Sequence, residues 1–365
     1  MCRGGAVIGP VVFILAACVQ PPPTVVGPVG EVVAEGVIVC PPPTARCELS
    51  GATMAAGRLL LANDRPSKVN ESVLVLSPSQ LAPRVEVQRL PGLPALAVQK
   101  LEAMTTSPDG RHVFAMTSFD RRETAAQDPF NVLVSWPSER PQAARVLDLA
   151  SGRAAASLEL RRQLRLALAS PAEAEGPAHY KVEGLAALPD RLLIGVREVG
   201  RSYKEFRYTL TVLSLPWRLE KGRPVLAGAP SVVWRVDPAT LPPLPKMPVG
   251  LSEFVYDLAR DRLWLLTSFE RDDDKPDAVA GYLWTLDRAA LERGAPPVLV
   301  HGKDGKPLMF SHKSEALAIL PDGRLLMVHD DDGRATLVPD QASGIRRPRL
   351  MTEAMYQVLT VTDAP

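Results

Sequence analysis

Short apolar runs alternate with turns along most of the chain, in a unit that recurs five times. Each unit opens with a Glu and an apolar run, turns, and continues with a second apolar run that ends in an acid. The opening acids are Glu48, Glu102, Glu183, Glu253 and Glu315, and the closing acids are Asp64, Asp120, Glu198, Glu270 and Asp330. Self-similarity of this kind predicts a repeat architecture.

The turns are clearest at Pro108–Gly110 and Pro321–Gly323, where Pro and Gly supply the backbone angles of a tight turn. A third apolar run follows in most units, and a fourth follows in several. Three or four short antiparallel strands per repeat of about 50 to 80 residues are typical of a β-propeller blade. The pattern therefore predicts an all-β protein, a β-propeller with five blades.

Two segments near the chain ends and one internal segment depart from the unit. Residues 31–38 and 356–361 read as strands, which either form a sixth blade or close the ring as one shared blade. Residues 153–170 carry Leu among Arg and Ala, a pattern that predicts a short helical insertion or an exposed loop in the second blade.

Composition agrees with one large domain, which we place at residues 31–365. The chain has 365 residues, of which 46% are hydrophobic, so it can build a sizeable core. The 42 basic and 41 acidic residues leave a net charge of +1 without a basic block, which argues against nucleic-acid binding. We expect a monomer.

The N-terminus indicates export. Arg3 precedes an apolar run too short for a stable membrane anchor, so residues 1–17 are predicted to be a signal peptide. Leu15–Cys18 resembles the lipobox of bacterial lipoproteins, and we expect cleavage before Cys18 and lipidation of its thiol; the alternative is a free Cys in an ordinary signal peptide. Residues 18–30 would then form a Pro-rich tether. Val19 lacks the Asp that commonly retains lipoproteins at the inner membrane, which favours the outer membrane, at its periplasmic face or the cell surface.

Two further cysteines, Cys40 and Cys47, flank a Pro-rich loop. In an exported protein such a pair is most simply a disulfide. A metal pair or a redox couple would require closer spacing.

The acids carry the candidate chemistry. If each hairpin has a two-residue turn, Glu183 faces Glu198 and Glu315 faces Asp330, with Cβ atoms about 5 Å apart. All ten acids should then lie on one face of the propeller, with the five opening Glu residues around the mouth of the central channel. Like charges placed in this way are destabilising unless a cation accompanies them.

Two kinds of cation are possible. Lys100, Lys181 and Lys313 precede three opening Glu residues, and Arg65, Arg121, Arg197 and Arg271 adjoin four closing acids, so a salt-bridge belt is one answer. The other is a metal ion such as Ca²⁺, which prefers six to eight oxygen ligands. The fifth unit, with His312 and His329–Asp332, is the best metal candidate.

Val182–Ala186 and Ser314–Ala318, each followed by a Pro-Asp turn and a strand ending in an acid, resemble the repeated Glu-Gly-Leu-Ala motif of the bacterial "esterase-like activity of phytase" propellers. The resemblance extends from about Glu48 to Met351. It implies a secreted or lipid-anchored propeller, with metal-dependent hydrolase activity on phosphate or ester substrates. Only Glu183 and Glu315 match the motif well.

Two functions follow from these patterns. The first is a cell-envelope lipoprotein whose propeller face binds a small molecule or a protein. The alternative is a Ca²⁺-dependent phosphoesterase that uses the acidic face. The sequence lacks a Gly-x-Ser-x-Gly elbow, a Gly-rich phosphate loop and a His-Glu-x-x-His zinc helix, and it singles out no catalytic residue.

Overall fold

The computed structural model describes residues 27–42, 46–64, 73–76, 85–91, 93, 98–121, 124–150, 152, 154–273, 275–340 and 343–363. The predicted signal peptide, Cys18, most of the predicted tether and Arg65 lie outside these residues. Within the described part, no helix has the length and apolar character needed to cross a bilayer.

The first described strand, β1 (Val29–Val39), belongs to a sheet that is completed at the end of the chain. The first sheet then contains β2 (Leu49–Ala55), β3 (Arg58–Asn63), β4 (Val73–Leu76) and β5 (Glu86–Val87). The second sheet contains β6 (Leu101–Thr106), β7 (His112–Thr117), β8 (Leu133–Pro137) and β9 (Arg145–Leu147).

Helix α1 (Leu158–Ala167) follows the second sheet and confirms the predicted helical insertion. Its Leu160 and Leu164 are buried in the core between the second and third sheets. The Asp148 carboxylate accepts hydrogen bonds from the backbone N–H groups of Glu159 and Leu160, which caps the start of the helix.

The third sheet contains β10 (His179–Ala187), β11 (Arg191–Ser202), β12 (Glu205–Glu220), β13 (Arg223–Leu226) and β14 (Ser231–Val236). The fourth contains β15 (Gly250–Asp257), β16 (Arg262–Glu270), β17 (Val279–Asp287), β18 (Val298–Leu299) and β19 (Met309–Phe310), with helix α2 (Arg288–Glu292) after β17. Short 3₁₀ helices lie at Ala125–Phe130, Pro141–Ala143, Pro238–Thr240 and Pro276–Ala278.

These four sheets, each built from consecutive strands, form a propeller-like arrangement of four blades. The fifth sheet joins the two ends of the described chain: β20 (Ser314–Ile319), β21 (Leu325–His329) and β24 (Glu353–Thr362) pair in the order β20, β21, β24, and β1 pairs with β24. A hairpin of β22 (Leu337–Pro339) and β23 (Arg346–Pro348) lies between β21 and β24 in sequence. The two terminal segments thus share one sheet with β20 and β21 instead of forming a separate sheet.

The core lies between neighbouring sheets. Strands β2, β6, β10, β15 and β20 pack against one another in a cycle, with β20 returning to β2. One apolar cluster separates each neighbouring pair of sheets, as Trp264, Leu283 and Met327 do between the fourth and fifth. Because these strands are covered on both faces, β7 and β21 are buried at every position, which explains the apolar runs Val113–Met116 and Leu325–Val328 within them.

Candidate functional site

The register of β2, β6, β10, β15 and β20 against the next strand shifts near the start of each strand. The shifts, typical of a β-bulge, lie between Leu49 and Gly51, Leu101 and Ala103, Val182 and Gly184, Leu251 and Glu253, and Ser314 and Ala316. The residues at the centre of these shifts are therefore Ser50, Glu102, Glu183, Ser252 and Glu315.

This alignment corrects the predicted equivalence of the five opening acids. Glu102, Glu183 and Glu315 are structurally equivalent, but Ser50 and Ser252 take their place in the first and fourth sheets. Glu48 lies two residues before that position and Glu253 one residue after it. The sequence motif did not show this difference, because a short apolar run follows each of the five acids whatever the position of the acid in the strand register.

The predicted facing pairs are also wrong. Lys181 stands opposite Glu198, and Ser314 stands opposite His329. The turn in the third sheet consists of Pro189 and Asp190, because the Leu188 N–H donates to the Arg191 carbonyl at 2.8 Å. The turn and the bulge together displace the partners of Glu183 and Glu315.

Lysine side chains contact Glu102 and Glu183 at the end of the sheets where these acids lie. Lys181 Nζ contacts Glu183 and lies 3.5 Å from Glu102 Oε1 in the neighbouring sheet. Burial lowers the pKa of Lys181, but Glu102 and Glu183 outweigh burial and raise this pKa well above its ordinary value. Lys100 adds a contact of 3.2 Å to Glu102.

Lys313 connects the fifth and fourth sheets in the same way. Its Nζ lies 2.9 Å from Glu315, 2.7 Å from Asp332 and 3.5 Å from Glu270. Ser50 Oγ in the first sheet lies 3.5 Å from Glu315 Oε2, so the contacts continue into the next sheet. We call the set of Glu102, Glu183, Glu315, Lys100, Lys181, Arg197 and Lys313 the polar belt.

Arg197 is the belt residue that joins the third and fourth sheets. It is 1% exposed, its Nη1 lies 3.1 Å from Glu183 Oε2, and the same nitrogen donates to Ser252 Oγ and Ser268 Oγ at 2.8 and 2.7 Å. Burial disfavours the guanidinium charge, but Glu183 outweighs burial and the pKa of Arg197 is raised well above its ordinary value.

The closing acids have different partners. Lys100 Nζ donates to Asp120 at 2.7 Å, and this cation lowers the pKa of Asp120 against the effect of burial. Glu198 pairs with His179 at 3.2 Å, and Glu270 pairs with Arg334 at 3.2 Å. Arg271, which adjoins Glu270 in sequence, contacts Asp273 and Asp277 instead.

Glu253 has no basic partner among the described residues. Its Oε1 accepts from the backbone N–H groups of Phe254 and Leu185, while its buried Oε2 makes no hydrogen bond within this part of the chain. Burial raises the pKa of Glu253 well above its ordinary value, and the nearby Glu183 and Glu315 raise it further. Burial therefore favours the protonated form of this side chain.

Three acids converge between the first and fifth sheets. Glu48, Asp64 and Asp330 are all buried, and each offers one carboxylate oxygen within 4.8 Å of the other two. Burial, with the charges of Asp332 and Asp64, raises the pKa of Asp330 well above its ordinary value. Ligands on opposite sides of a Ca²⁺ ion are about 5 Å apart, so the separation fits such an ion.

The histidines of the fifth unit belong to a hydrogen-bonded network. His312 Nδ1 lies 2.8 Å from Asp331 Oδ2, which also accepts from Thr336 Oγ1 at 2.6 Å. His329 lies 3.2 Å from Ser314 Oγ, and burial lowers its pKa to about 3. All of these side chains are buried, so the network holds the fifth sheet to the loop after β21.

Sequence reasoning missed Ser50, Ser252 and Arg334. The two serines have no acidic side chain and so were not part of the acid pattern. Arg334 lies in the loop after β21, outside the repeated unit. One signal was available for the serines: each is followed directly by a small or acidic residue, as Glu102 and Glu183 are.

The predicted disulfide is confirmed. Cys40 and Cys47 are bonded, with Cα atoms 5.5 Å apart. Their backbone N–H groups donate to the carbonyls of Thr352 and Met351, so the bridged loop is held just before Glu48.

Fold and belt together define a propeller-like protein with largely buried ion pairs at one end of its sheets. No protein-family model matches the chain, and no curated protein matches its sequence. The resemblance to the phytase-related propellers therefore stays a prediction.

Among solved structures, the chain is similar in fold to the PQQ-bound aldose sugar dehydrogenase of Streptomyces coelicolor, with 13% identity, a TM-score of 0.39 and coverage of 94% of this chain and 100% of that one. A DUF4221 family member from Bacteroides vulgatus has 8% identity and a TM-score of 0.38, with coverage of 92% and 99%. The GH43 β-1,3-galactosidase BT3683 has 11% identity and a TM-score of 0.41, with coverage of 86% and 99%. The first two are β-propeller-like proteins whose functions differ.

Proposed function

We propose that this protein is a cell-envelope lipoprotein that binds a partner or ligand at the end of the propeller where the polar belt lies. The observation that carries the proposal is the pairing of the belt carboxylates with the protein's own Lys and Arg residues. A hydrolase that used these acids would need them free to bind substrate or metal. Glu183 and Glu315 are instead 1% and 2% exposed and in contact with cations.

The accessible groups around the belt supply the binding surface. Arg121, Glu270 and Asp332 have side chains that are 39%, 28% and 32% exposed. Both signs of charge are therefore present at the rim, and such a surface favours a partner with a complementary pattern of charges.

Site-specific photo-crosslinking tests this proposal in cells that express the full-length chain. A photoreactive amino acid at position 121 should give a discrete adduct, and one at position 324, in the turn at the opposite end of the fifth sheet, should give none. The adduct should be lost in a Glu270→Gln, Asp332→Asn variant and retained in the exposed control Glu220→Gln. No adduct at position 121, or an adduct that survives the rim substitutions, would refute binding at this face.

A second candidate function rests on the cluster of Glu48, Asp64 and Asp330. Each of the three buried carboxylates offers one oxygen within 4.8 Å of the other two, so their charges repel; Arg46 lies 3.4 Å from Glu48, and a Ca²⁺ ion would offset the repulsion further. A bound ion could activate water and polarise a phosphate ester. Hydrolysis of p-nitrophenyl phosphate that requires Ca²⁺ and disappears in Asp64→Asn would replace the binding proposal with this one.

The anchor and the blade number complete the proposal. Lipidation of Cys18 would hold the protein at the outer membrane. A Cys18→Ala variant should therefore incorporate no labelled palmitate and should no longer be found in the membrane fraction.

We also assign the fifth sheet as a fifth blade, supported by the cyclic packing of β2, β6, β10, β15 and β20. Deletion of β1 should then destabilise the whole domain, because this strand pairs along β24 from Val29 to Val39.

A further inference from the structure

A basic cavity lies away from the polar belt, between the outer strands of the second sheet and the β12–β13 hairpin of the third. Its volume is about 1000 Å³, which suits a small-molecule site. Four basic residues line it without an Asp or Glu among the lining residues: Arg140, Arg145, Lys221 and Arg223. Arg145 also donates to the carbonyl of Pro224, so its guanidinium reaches from one sheet to the other.

Three buried polar groups in the cavity wall have no hydrogen-bond partner among the described residues. They are His112 Nδ1, Ser135 Oγ and Trp136 Nε1, on side chains of residues that are 6%, 1% and 1% exposed. Leaving a buried polar group unpaired costs about 1 to 3 kcal/mol, so such groups are rare. Of the three, His112 Nδ1 and Ser135 Oγ belong to the face of the sheet that carries Arg145, and these two indicate a ligand that pairs with them.

The strand register places two of these groups beside the arginines. On β8, Ser135 pairs with Arg145 of β9, and His112 of β7 pairs with Pro137 of β8. Residues two apart on a strand share a face, so His112, Ser135 and Arg145 lie on the same side of the sheet. Trp136 lies on the other side, in the apolar cluster shared with the first sheet.

The electrostatics of His112 agree with an anion site. Burial lowers the pKa of His112, Asp109 opposes this effect, and Arg145, Arg111 and Arg140 lower it further. Burial and the arginines thus favour the neutral imidazole, in which one ring nitrogen carries a proton that can be donated. Arginine forks, a serine hydroxyl and a neutral imidazole together match the acceptor oxygens of a phosphate or carboxylate.

We propose that this cavity binds a small molecule through an oxyanion group, phosphate or carboxylate, held by Arg145, Arg223, Ser135 and His112. The site is separate from the polar belt, and its test does not depend on the function proposed above. Glucose 6-phosphate, glucuronate and glucose serve as probes of a phosphate, a carboxylate and a neutral analogue of similar size.

Isothermal titration of the purified full-length chain tests the proposal. At least one of the two charged probes should bind with a Kd below about 10 mM, and glucose should not. Comparison of the two charged probes identifies the oxyanion. Binding should weaken as salt is raised, because the arginines are partly exposed.

Two variants and one control distinguish binding in this cavity from nonspecific electrostatic binding to the protein surface. Ser135→Ala removes a single buried hydroxyl, and Arg223→Gln removes one exposed charge; each should weaken binding by about tenfold or more. Arg324→Gln, in a distant turn where Arg324 pairs with Asp322, should leave the Kd unchanged. Absence of binding by both charged probes, equal binding of glucose, or Kd values unaffected by both cavity variants would overturn the proposal.

Discussion

The Arg197 guanidinium lies 3.1 Å from the Glu183 carboxylate, with both side chains almost completely buried, and its Nη1 also donates to two serines of the next sheet. Replacing Arg197 by Met should lower the free energy of unfolding by about 3 to 5 kcal/mol, because buried Glu183 keeps only Lys181 as a cationic partner and two buried serines lose their donor. Urea denaturation measures the change. Arg191→Gln, at an exposed ion pair with Asp190, is the control and should cost less than about 1 kcal/mol.

The double variant Arg197→Met, Glu183→Gln should recover part of that loss, since the buried carboxylate that lost its Arg197 contact is removed as well. A double variant no more stable than Arg197→Met alone would show that the guanidinium acts through packing and its serine contacts, and not through Glu183.

Glu253→Gln should change the dependence of stability on pH. The folded-state pKa of Glu253 is raised well above the unfolded value of about 4.3. The folded state therefore holds this proton more tightly, and the wild type loses stability as pH rises above the unfolded value, with a slope of up to about 1.4 kcal/mol per pH unit. Glu253→Gln has no ionisable group at this position, so its stability should not fall with pH for this reason.

Unfolding in urea at about pH 5 and pH 8 measures the effect, and the advantage of Glu253→Gln over the wild type should grow between them. The exposed Glu220→Gln variant should show no such growth. An equal difference at both pH values would mean that Glu253 is ionised in the folded protein.

Asp330→Asn should distinguish two properties of the Glu48, Asp64 and Asp330 cluster: repulsion between its carboxylates and binding of a metal ion. In a chelator the variant should melt at or above the wild-type temperature, because burial and neighbouring acids already disfavour the Asp330 charge. Added Ca²⁺ at a hundred times its Kd should stabilise the wild type by about 2.7 kcal/mol and the variant by much less. A wild type that does not respond to chelation or to added Ca²⁺ would leave the cluster without a metal.

Loss of the Cys40–Cys47 bond should lower stability by about 2 to 3 kcal/mol, as expected for closing a short loop. A Cys40→Ser, Cys47→Ser variant compared with the wild type in urea measures this difference. The wild type treated with a reductant should match the variant. A reductant that leaves the wild-type midpoint unchanged, with the thiols shown to be free, would contradict the prediction.

Gly184→Ala should be destabilising because of a close approach between sheets. A Cβ at Gly184 would lie 2.7 Å from the Phe254 ring, and such overpacking costs about 1 to 3 kcal/mol. The equivalent residue in the fifth sheet is Ala316, where the fold already accommodates a Cβ. Stability equal to that of the wild type would show that the Phe254 ring moves aside without cost.

How much the sequence predicts varies with the range of the interaction. Alternating apolar runs and Pro-Asp turns identify the paired strands and the all-β class, and the Leu pattern of residues 153–170 locates α1. The cysteine spacing identifies the disulfide. These features depend on neighbours within a few residues, whose preferences the local pattern records.

The sequence did not reveal the alignment of the repeats. Glu48 and Glu253 look equivalent to Glu183 in sequence, but the register shifts place Ser50 and Ser252 at that position. A displacement of one or two residues leaves an apolar run nearly unchanged and moves each acid to a new set of partners.

The sequence by itself determined the strands, the turns, the helix and the surplus of acids at one end of each hairpin. Tertiary structure alone decided which of those acids meet. Glu48, Asp64 and Asp330 converge because β1 and β24 bring the two ends of the described chain into one sheet beside the first. That contact depends on closure over the whole chain, and a local pattern carries no record of it.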